Sequence, residues 1–404
     1  MSFAPIEEQL KEIRRGTVEI VPEADLKEKL KESMSTNTPL RVKLGCDPTR
    51  PDLHLGHSVI LRKLRQFQDF GHHAILIIGD FTARIGDPSG QNKTRPPLTA
   101  DEVKENAKSY LEQAGRVLDL EKLEIVYNAD WLGSMSFEDV IRLSSQITVA
   151  RMIERDDFSN RFERNEPISL HEFLYPLAQG QDSVHLKSDI ELGGTDQKFN
   201  LLVGRHLQQQ DGQKPQVCLM MPLLVGLDGS RKMSKSYDNY IGIDENPNDM
   251  YGKVLRISDE QIYSWFELLT DLDADQLPVM KKKIQENPRD TKHNLAFQIT
   301  GMYHGVKEAE AARDHFEQVV VNKSVPDDAE TLDLTAGDTY RILDIIAEAG
   351  LTSSNGETKR LIKQGGVSLD EKKVASPSFE LTIAKGAEHQ LKVGKRKFVI
   401  LKAV

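Results

Sequence analysis

The 404-residue chain reads as an α/β protein: a doubly wound, mainly parallel sheet, then a helical domain and a small α+β domain. Three observations predict this. Through residues 41–240, apolar runs of strand length alternate with helical patterns, the order that builds a parallel sheet. From about 245 to 325 strand signals vanish, and helical periodicity with few glycines takes over. Beyond residue 338, two helical patterns precede short strand candidates.

Residues 1–40 read as a helical arm, with Ile6, Leu10 and Ile13 at helical spacing before Gly16. Residues 41–44 form a short strand candidate, and Pro48 and Pro51 forbid regular structure across the turn after it. Leu55, Val59, Ile60, Leu64 and Phe67 then fall at helical spacing. Residues 74–79 and, apart from Pro222, 217–225 are apolar runs of the buried-strand type, with 124–127 a shorter candidate. Helical patterns lie at about 54–70, 101–118, 136–155 and 196–209. Four turn-rich segments, 45–49, 80–90, 191–197 and the loop at 232–236, should gather beyond the carboxyl ends of the strands, where such sheets bind ligands. Residues 241–325 then make the helical domain, 326–337 a linker, and 338–404 the last domain. In that domain Lys359, Arg360 and Lys363 ride on the second helix, which Gly365-Gly366 ends.

Composition narrows the class. The chain has no apolar run long enough for a membrane span and no secretion-type leader. Its two cysteines, Cys46 and Cys218, make no metal-type spacing and no disulfide framework, which suits a cytoplasmic protein. Net charge is −10, yet residues 338–404 hold twelve Lys/Arg against eight Asp/Glu. A basic end on an acidic body suits local RNA binding.

Two stretches carry chemistry. His54-Leu55-Gly56-His57 opens a helix that follows a strand, where unpaired N–H groups and the helix dipole favour an anion. Both imidazoles can face one group, and Gly56 lets something flat approach the backbone. Lys232-Met233-Ser234-Lys235-Ser236 is a short basic loop after a turn, suited to phosphate. Elsewhere, Tyr175, Gln179 and Asp182 share one helix face, and Gly193-Gly194-Thr195-Asp196-Gln197 permits close backbone approach.

Together the histidine and lysine stretches resemble the two signatures of class I aminoacyl-tRNA synthetases, a family built on a Rossmann-like sheet. Gly86-Asp87-Pro88-Ser89-Gly90, the helix from Leu174 to Asp182 and the segment from Gly193 to Gln197 resemble bacterial-type tyrosyl-tRNA synthetases across almost the whole chain. The last domain is similar to the S-four-type RNA-binding domain, named after a small-subunit ribosomal protein. The resemblance implies L-tyrosine, ATP with Mg²⁺, and tRNA(Tyr) as partners, with no metal held by the protein itself. It implies that Asp87, Tyr175 and Gln179 hold the α-ammonium, that Asp182 takes the phenol, and that Thr82 and Gln197 complete the pocket. Rejection of phenylalanine would follow from leaving Asp182 buried without a partner.

On the nucleotide side it implies contacts from Asp47, Gly56, Gly194, Asp196, Met233, Ser234 and Lys235. His54, His57, Thr49, Lys232 and Lys235 would stabilise charge developing on pyrophosphate, with Arg95 and Lys93 as late-arriving cations. Lys359, Arg360 and Lys363 would meet RNA, and two copies would pair through the region around 130–180. The sequence departs from many relatives at Lys43, Gln91 and Gln181, where tyrosine, lysine and tyrosine are common. His72-His73 reads as a solvent-facing connection, and Trp131 and Trp265 as packing residues. The rival readings are a tryptophanyl synthetase, another adenylyl transferase, and a non-catalytic RNA-binding paralogue.

Overall fold

The structure, a computed structural model, describes residues 3–49, 52–88, 99–321, 330–370, 372–394 and 397–404. The chain divides into two compact units, Met1–Gly305 and Val306–Val404.

The first unit is built on six strands: β1 (Glu19–Val21), β2 (Arg41–Cys46), β3 (His73–Ile78), β4 (Leu123–Tyr127), β5 (Ile190–Gly194) and β6 (Val217–Met221). Their order is β1-β6-β5-β2-β3-β4, parallel except for β1, which runs antiparallel to β6. The chain winds outward from β2 through β3 to β4, then restarts on the other side with β5. The switch point therefore lies between β2 and β5. The predicted sheet is present, with corrections. An edge strand, β1, interrupts the arm that the sequence predicts to be wholly helical, and β6 stops at Met221 because Pro222 has no N–H for the ladder. Strand β5 escapes sequence reading because the charged Glu191 breaks its apolar run.

Among the described residues, eleven helices accompany this sheet: α1 (Ile6–Arg14), α2 (Glu23–Thr36), α3 (Leu55–Asp69), α4 (Thr82–Ile85), α5 (Ala100–Ala114), α6 (Ala129–Leu132), α7 (Phe137–Ser144), α8 (Val149–Ile153), α9 (Asp156–Glu163), α10 (Leu174–Leu186) and α11 (Lys198–Gln210). Helix α3 packs its apolar stripe inward: Leu55, Val59, Leu61, Leu64 and Phe67 are buried. Each such side chain contributes about 1.5–3 kcal/mol. Its buried Lys63 donates to the carbonyls of Glu12, Ile13 and Arg15, capping the end of α1 and tying the arm to α3. The helix predicted over 136–155 is two, because Thr148 leaves helical geometry to cap α8. His72 is buried, its Nδ1 accepting from the Leu40 amide and its Nε2 bonded to Gln9, while His73 opens β3 and pairs with Glu124. His72 is thus not the solvent-facing residue predicted, whereas the His73 side chain is 41% exposed, at the start of the strand and not in the connection. Helices α12 (Pro247–Val254), α13 (Ile262–Leu269), α14 (Leu277–Glu286) and α15 (Pro288–His304) complete the unit, with Trp265 fully buried between them as packing.

The second unit opens with α16 (Val306–Phe316). Strands β7 (Thr331–Leu334) and β8 (Thr339–Arg341) precede α17 (Ile342–Glu348) and α18 (Asn355–Lys363). Then come β9 (Val367–Leu369), β10 (Lys372–Lys373), β11 (Glu380–Thr382), β12 (Glu388–Val393) and β13 (Lys397–Ala403). One sheet has the order β10-β9-β12-β13-β7, and β8 pairs with β11. Residues 331–334, within the predicted linker, form β7, parallel to β13. Ile342, Ile346, Val367, Leu391 and Leu401 form the buried core. Among the described residues, no helix is long and apolar enough to cross a membrane.

Candidate functional site

Two cavities open side by side at the carboxyl ends of the central strands, sharing His57, Ile60 and Gly194 in their walls. Described residues of all four predicted segments line them, but 191–194 is the end of β5 and not a turn, and 89–90 lie outside the described residues.

The first cavity, about 260 Å³, takes Tyr175, Gln179 and Asp182 from one face of α10. Asp182 is buried, and its carboxylate accepts from Trp131 Nε1 at 2.9 Å and from Asn128 Nδ2 at 3.3 Å. Burial pushes its pKa up to about 7, against the opposing pull of Lys43 and these two donors. Asn128 also donates to Thr82 Oγ1 at 3.1 Å, and Thr82 donates to Asp47 Oδ1 at 2.6 Å. The Tyr175 hydroxyl donates to the other oxygen of Asp47 at 2.9 Å. Asp47, assigned from the sequence to the nucleotide, thus lies in the wall of the first cavity. Gly79 lets these groups meet: a Cβ there would stand 2.0 Å from Asp47 Oδ1 and 2.4 Å from Thr82 Oγ1. Thr49 lines the same cavity, as does Asp87, which accepts from Gln197 Nε2 at 2.8 Å and Arg155 Nη2 at 3.2 Å.

The second cavity, about 300 Å³, is walled by His54, Gly56, His57, Asp196, Lys232, Met233 and Ser234 among others. His54 is the N-cap of α3, one residue ahead of the first turn where the sequence put it. Its Nδ1 accepts from the Gly56 amide at 3.1 Å, and His57 Nδ1 accepts from the His54 amide at 3.2 Å. Burial, then the neighbouring charges, pushes His54 down to about 2 and His57 to about 4. Both rings are therefore neutral near pH 7. With Nδ1 used as acceptor, each carries its proton on Nε2 and keeps a donor.

The lysine loop is held by its own turn. Asp228 accepts from the amides of Ser230 and Arg231, which hold its carboxyl down at about 2. Asn239 accepts from the Ser234 amide at 2.8 Å and donates to Asp228 at 3.0 Å. Val225 and Lys232 pair across the hairpin, and His54 bridges to Gly242 just beyond it. Lys232 pairs with Asp196 at 3.3 Å, and Lys235 pairs with Asp52. Gly194 admits Asp196: a Cβ would lie 2.6 Å from its Oδ1. Arg95 and Lys93 lie outside the described residues, as does Gln91. Lys359, Arg360 and Lys363 are exposed on α18 in the second unit. Among the described residues, no group of three or more His, Cys, Asp and Glu side chains could hold a metal ion.

Sequence reasoning missed Asn128 and Trp131. Trp131 does more than the packing predicted for it; it stacks on His185 at 4.4 Å and also donates to Asp182. Both residues follow β4, and the rule that ligands sit beyond strand ends would have found them had that short strand been given equal weight. Arg155, Asn200 and Glu191 carried no such signal.

A family model described as tRNA synthetases class I (W and Y) matches residues 34–321, and one described as the S4 domain matches residues 341–386. The tyrosine–tRNA ligase of Salinibacter ruber is 56% identical, spanning 98% of this chain and 97% of its own. That of Chlorobium luteolum is 53% identical, spanning 98% of each. The C-terminally truncated mitochondrial tyrosyl-tRNA synthetase of Aspergillus nidulans shares the fold, with TM-score 0.64 at 22% identity over 77% of this chain and 94% of that one. The chain belongs to the class I tRNA synthetases and, within them, to the tyrosine–tRNA ligase family.

Proposed function

We infer that this chain activates L-tyrosine with ATP, forming tyrosyl-adenylate and pyrophosphate, and then transfers the tyrosyl group to the 3′ end of tRNA(Tyr). The observation that carries the reading is the adjacency of the two cavities: a buried carboxylate lies in the wall of one, and a histidine–lysine cluster lines the other. A bound tyrosine in the first cavity would offer its phenol to Asp182, with Asn128 and Trp131 orienting that carboxylate. Its α-ammonium would meet Asp87, Tyr175 and Gln179, with Thr82 and Gln197 completing the walls. Phenylalanine would withhold the phenol donor from the buried Asp182, which keeps Trp131 and Asn128, a loss of about 1–3 kcal/mol.

The substrate carboxylate is ionised at neutral pH and attacks the α-phosphorus unaided; pyrophosphate leaves. Catalysis here is the placing of two anions together and the stabilising of charge on the leaving group. Nε2–H donors of His54 and His57, the ammonium groups of Lys232 and Lys235 and the hydroxyl of Thr49 supply that stabilisation, with Arg95 assigned the late-arriving charge. Gly56, Gly194, Asp196, Met233 and Ser234 line the nucleotide. ATP enters as its Mg²⁺ complex and brings the ion with it.

We assign residues 1–240 to catalysis, 241–325 to the anticodon side and 338–404 to RNA, with Lys359, Arg360 and Lys363 as contacts. We place the chain in the cytoplasm as a homodimer. Phe137, Val149, Phe162 and Leu170 support the dimer, being 61–83% exposed within one stretch; sedimentation at micromolar concentration checks it. The activity is tested by ATP–pyrophosphate exchange with tyrosine, tryptophan and phenylalanine offered separately. Exchange with tyrosine alone is the expected result. Exchange with tryptophan would overturn the assignment of Asp182, and silence with all three would overturn the reading.

A further inference from the structure

Behind the wall of the first cavity lies a charge pair that the reaction does not touch. Lys43 on β2 and Glu191 on β5 are register partners on adjacent parallel strands, and both are buried. Lys43 Nζ stands 2.8 Å from Glu191 Oε1, and Gln179 Nε2 donates to the same oxygen at 3.1 Å. Ser183 Oγ donates to Oε2 at 3.1 Å, and Gln216 Nε2 donates to the same oxygen. A carboxylate offers about four acceptor sites. Three hydrogen-bond donors take three of them, and the Lys43 ammonium lies beside Oε1 as a counter-charge.

An ionised carboxylate only accepts, so Glu191 can take Gln179 only by its NH₂ group. That fixes an amide which, by itself, could sit either way round. The oxygen Oε1 is turned to the opposite side, where Asn200 Nδ2 donates to one of its lone pairs at 3.0 Å. Asn200 cannot reverse either. Its Oδ1 accepts from Arg155 Nη1 at 3.0 Å, a donor-only group, while its Nδ2 also donates to Gln197 Oε1 at 2.9 Å. The Gln197 amide in turn donates to Asp87. The row runs from one carboxylate to another, and its polarity is set by groups that can only accept or only donate. Gln179 lines the first cavity; one N–H of its Nε2 is taken up by Glu191, and Asn200 leaves one lone pair of its oxygen for a substrate.

We propose that Glu191, charge-compensated by Lys43, is a positioning residue that locks the Gln179 amide with its oxygen available to the α-ammonium of the amino-acid substrate. The proposal rests on the first cavity being the amino-acid pocket. Without Glu191, only the Asn200 contact opposes a turn of the amide that would set its NH₂ against the ammonium, donor against donor. Lys43 balances the buried charge, since a lone carboxylate at this depth would strongly destabilise the sheet.

The test uses L-tyrosine and 3-(4-hydroxyphenyl)propionate, which lacks only the α-amino group, with Kd measured for each by equilibrium titration. In Glu191→Gln the preference for tyrosine over the deaminated analogue should fall about tenfold or more, while the analogue's Kd moves less than about threefold. A merely loosened pocket would weaken both ligands together. The exchange variant, Gln179→Glu with Glu191→Gln, keeps one negative charge beside Lys43 and again leaves an amide donating to a carboxylate whose other oxygen can meet the ammonium. It should recover the preference to within about threefold of the parent. Because it conserves charge and volume, it stays measurable if the single variant does not fold. Parallel weakening of both ligands, an unchanged ratio in Glu191→Gln, or a lost preference in the exchange variant overturns the proposal. If the parent protein binds both ligands equally, the pocket reading itself falls; if only the variants disobey, the positioning role falls and the pocket stands.

Discussion

His54 and His57 both line the second cavity, and each has a ring nitrogen that does not serve the helix. Their Nδ1 atoms close the N-terminus of α3, so neutral rings keep Nε2–H as a donor and carry no charge to be neutralised. The positive charge of this side then falls to the lysines. Replacing Lys235 by Ala should lower the exchange rate by roughly 10²-fold or more while tyrosine Kd stays within about threefold. Equal loss of both would remove Lys235 from the leaving-group side. Asp182 sets the pH behaviour of the other cavity. Its carboxyl, pushed up to about 7 by burial, must be ionised to accept the phenol at full strength. Protonation therefore opposes binding: tyrosine Kd should be flat near pH 8 and rise as pH falls through about 7, toward about tenfold per pH unit. Calorimetric titration between about pH 5.5 and 8 checks this, and a Kd independent of pH there would contradict it. The histidines add no inflection in that window.

At the scale of elements, the site depends on how the lysine loop and the short helix α6 after β4 are held. The lysine loop packs through Met233 alone among its buried apolar side chains; Asn239, almost fully buried, links Ser234, Asp228 and the carbonyl of Lys232. Asn239→Ala should cost about 1–3 kcal/mol of stability. It should also raise the KM for ATP in exchange while leaving tyrosine Kd near its parent value. Thermal denaturation with the two titrations separates these effects. The segment after β4 is held instead by its neighbours, with Asp80 accepting from the Ala129 amide and Asn128 accepting from the Phe81 amide. That cross-tie brings the loops after β3 and β4 to Asp182 as one wall.

For the whole molecule, the basic stretch 338–404 of the second unit carries α18, which presents Lys359, Arg360 and Lys363 to solvent. Changing all three to Ala should leave tyrosine-dependent exchange unchanged and weaken tRNA binding. The slope of log affinity against log salt should fall by about one for each phosphate that a removed cation had neutralised. A filter-binding series across salt concentration reads this directly, and an unaltered slope would remove α18 from the RNA face.

What could be read in the chain was local. The helix opening at His54, the lysine loop and the polar stripe of Tyr175, Gln179 and Asp182 are spacings within one element, and helical geometry alone puts such residues on one face. The sheet's parallel class followed from alternation, and the second unit's helices from periodicity. What was not legible depended on which strands adjoin. Trp131 and Asn128 meet Asp182 across more than fifty residues of sequence, and Glu191 reads as a break in a strand until the register sets it beside Lys43. Arg155, in the turn between α8 and α9, shows its purpose only where Asp87 and Asn200 converge on it. Sequence by itself determined the groups proposed for the chemistry, because their spacing is short-range. Only the tertiary structure decided the buried partners that fix the charge and orientation of those groups, because burial and strand order are properties of the folded whole.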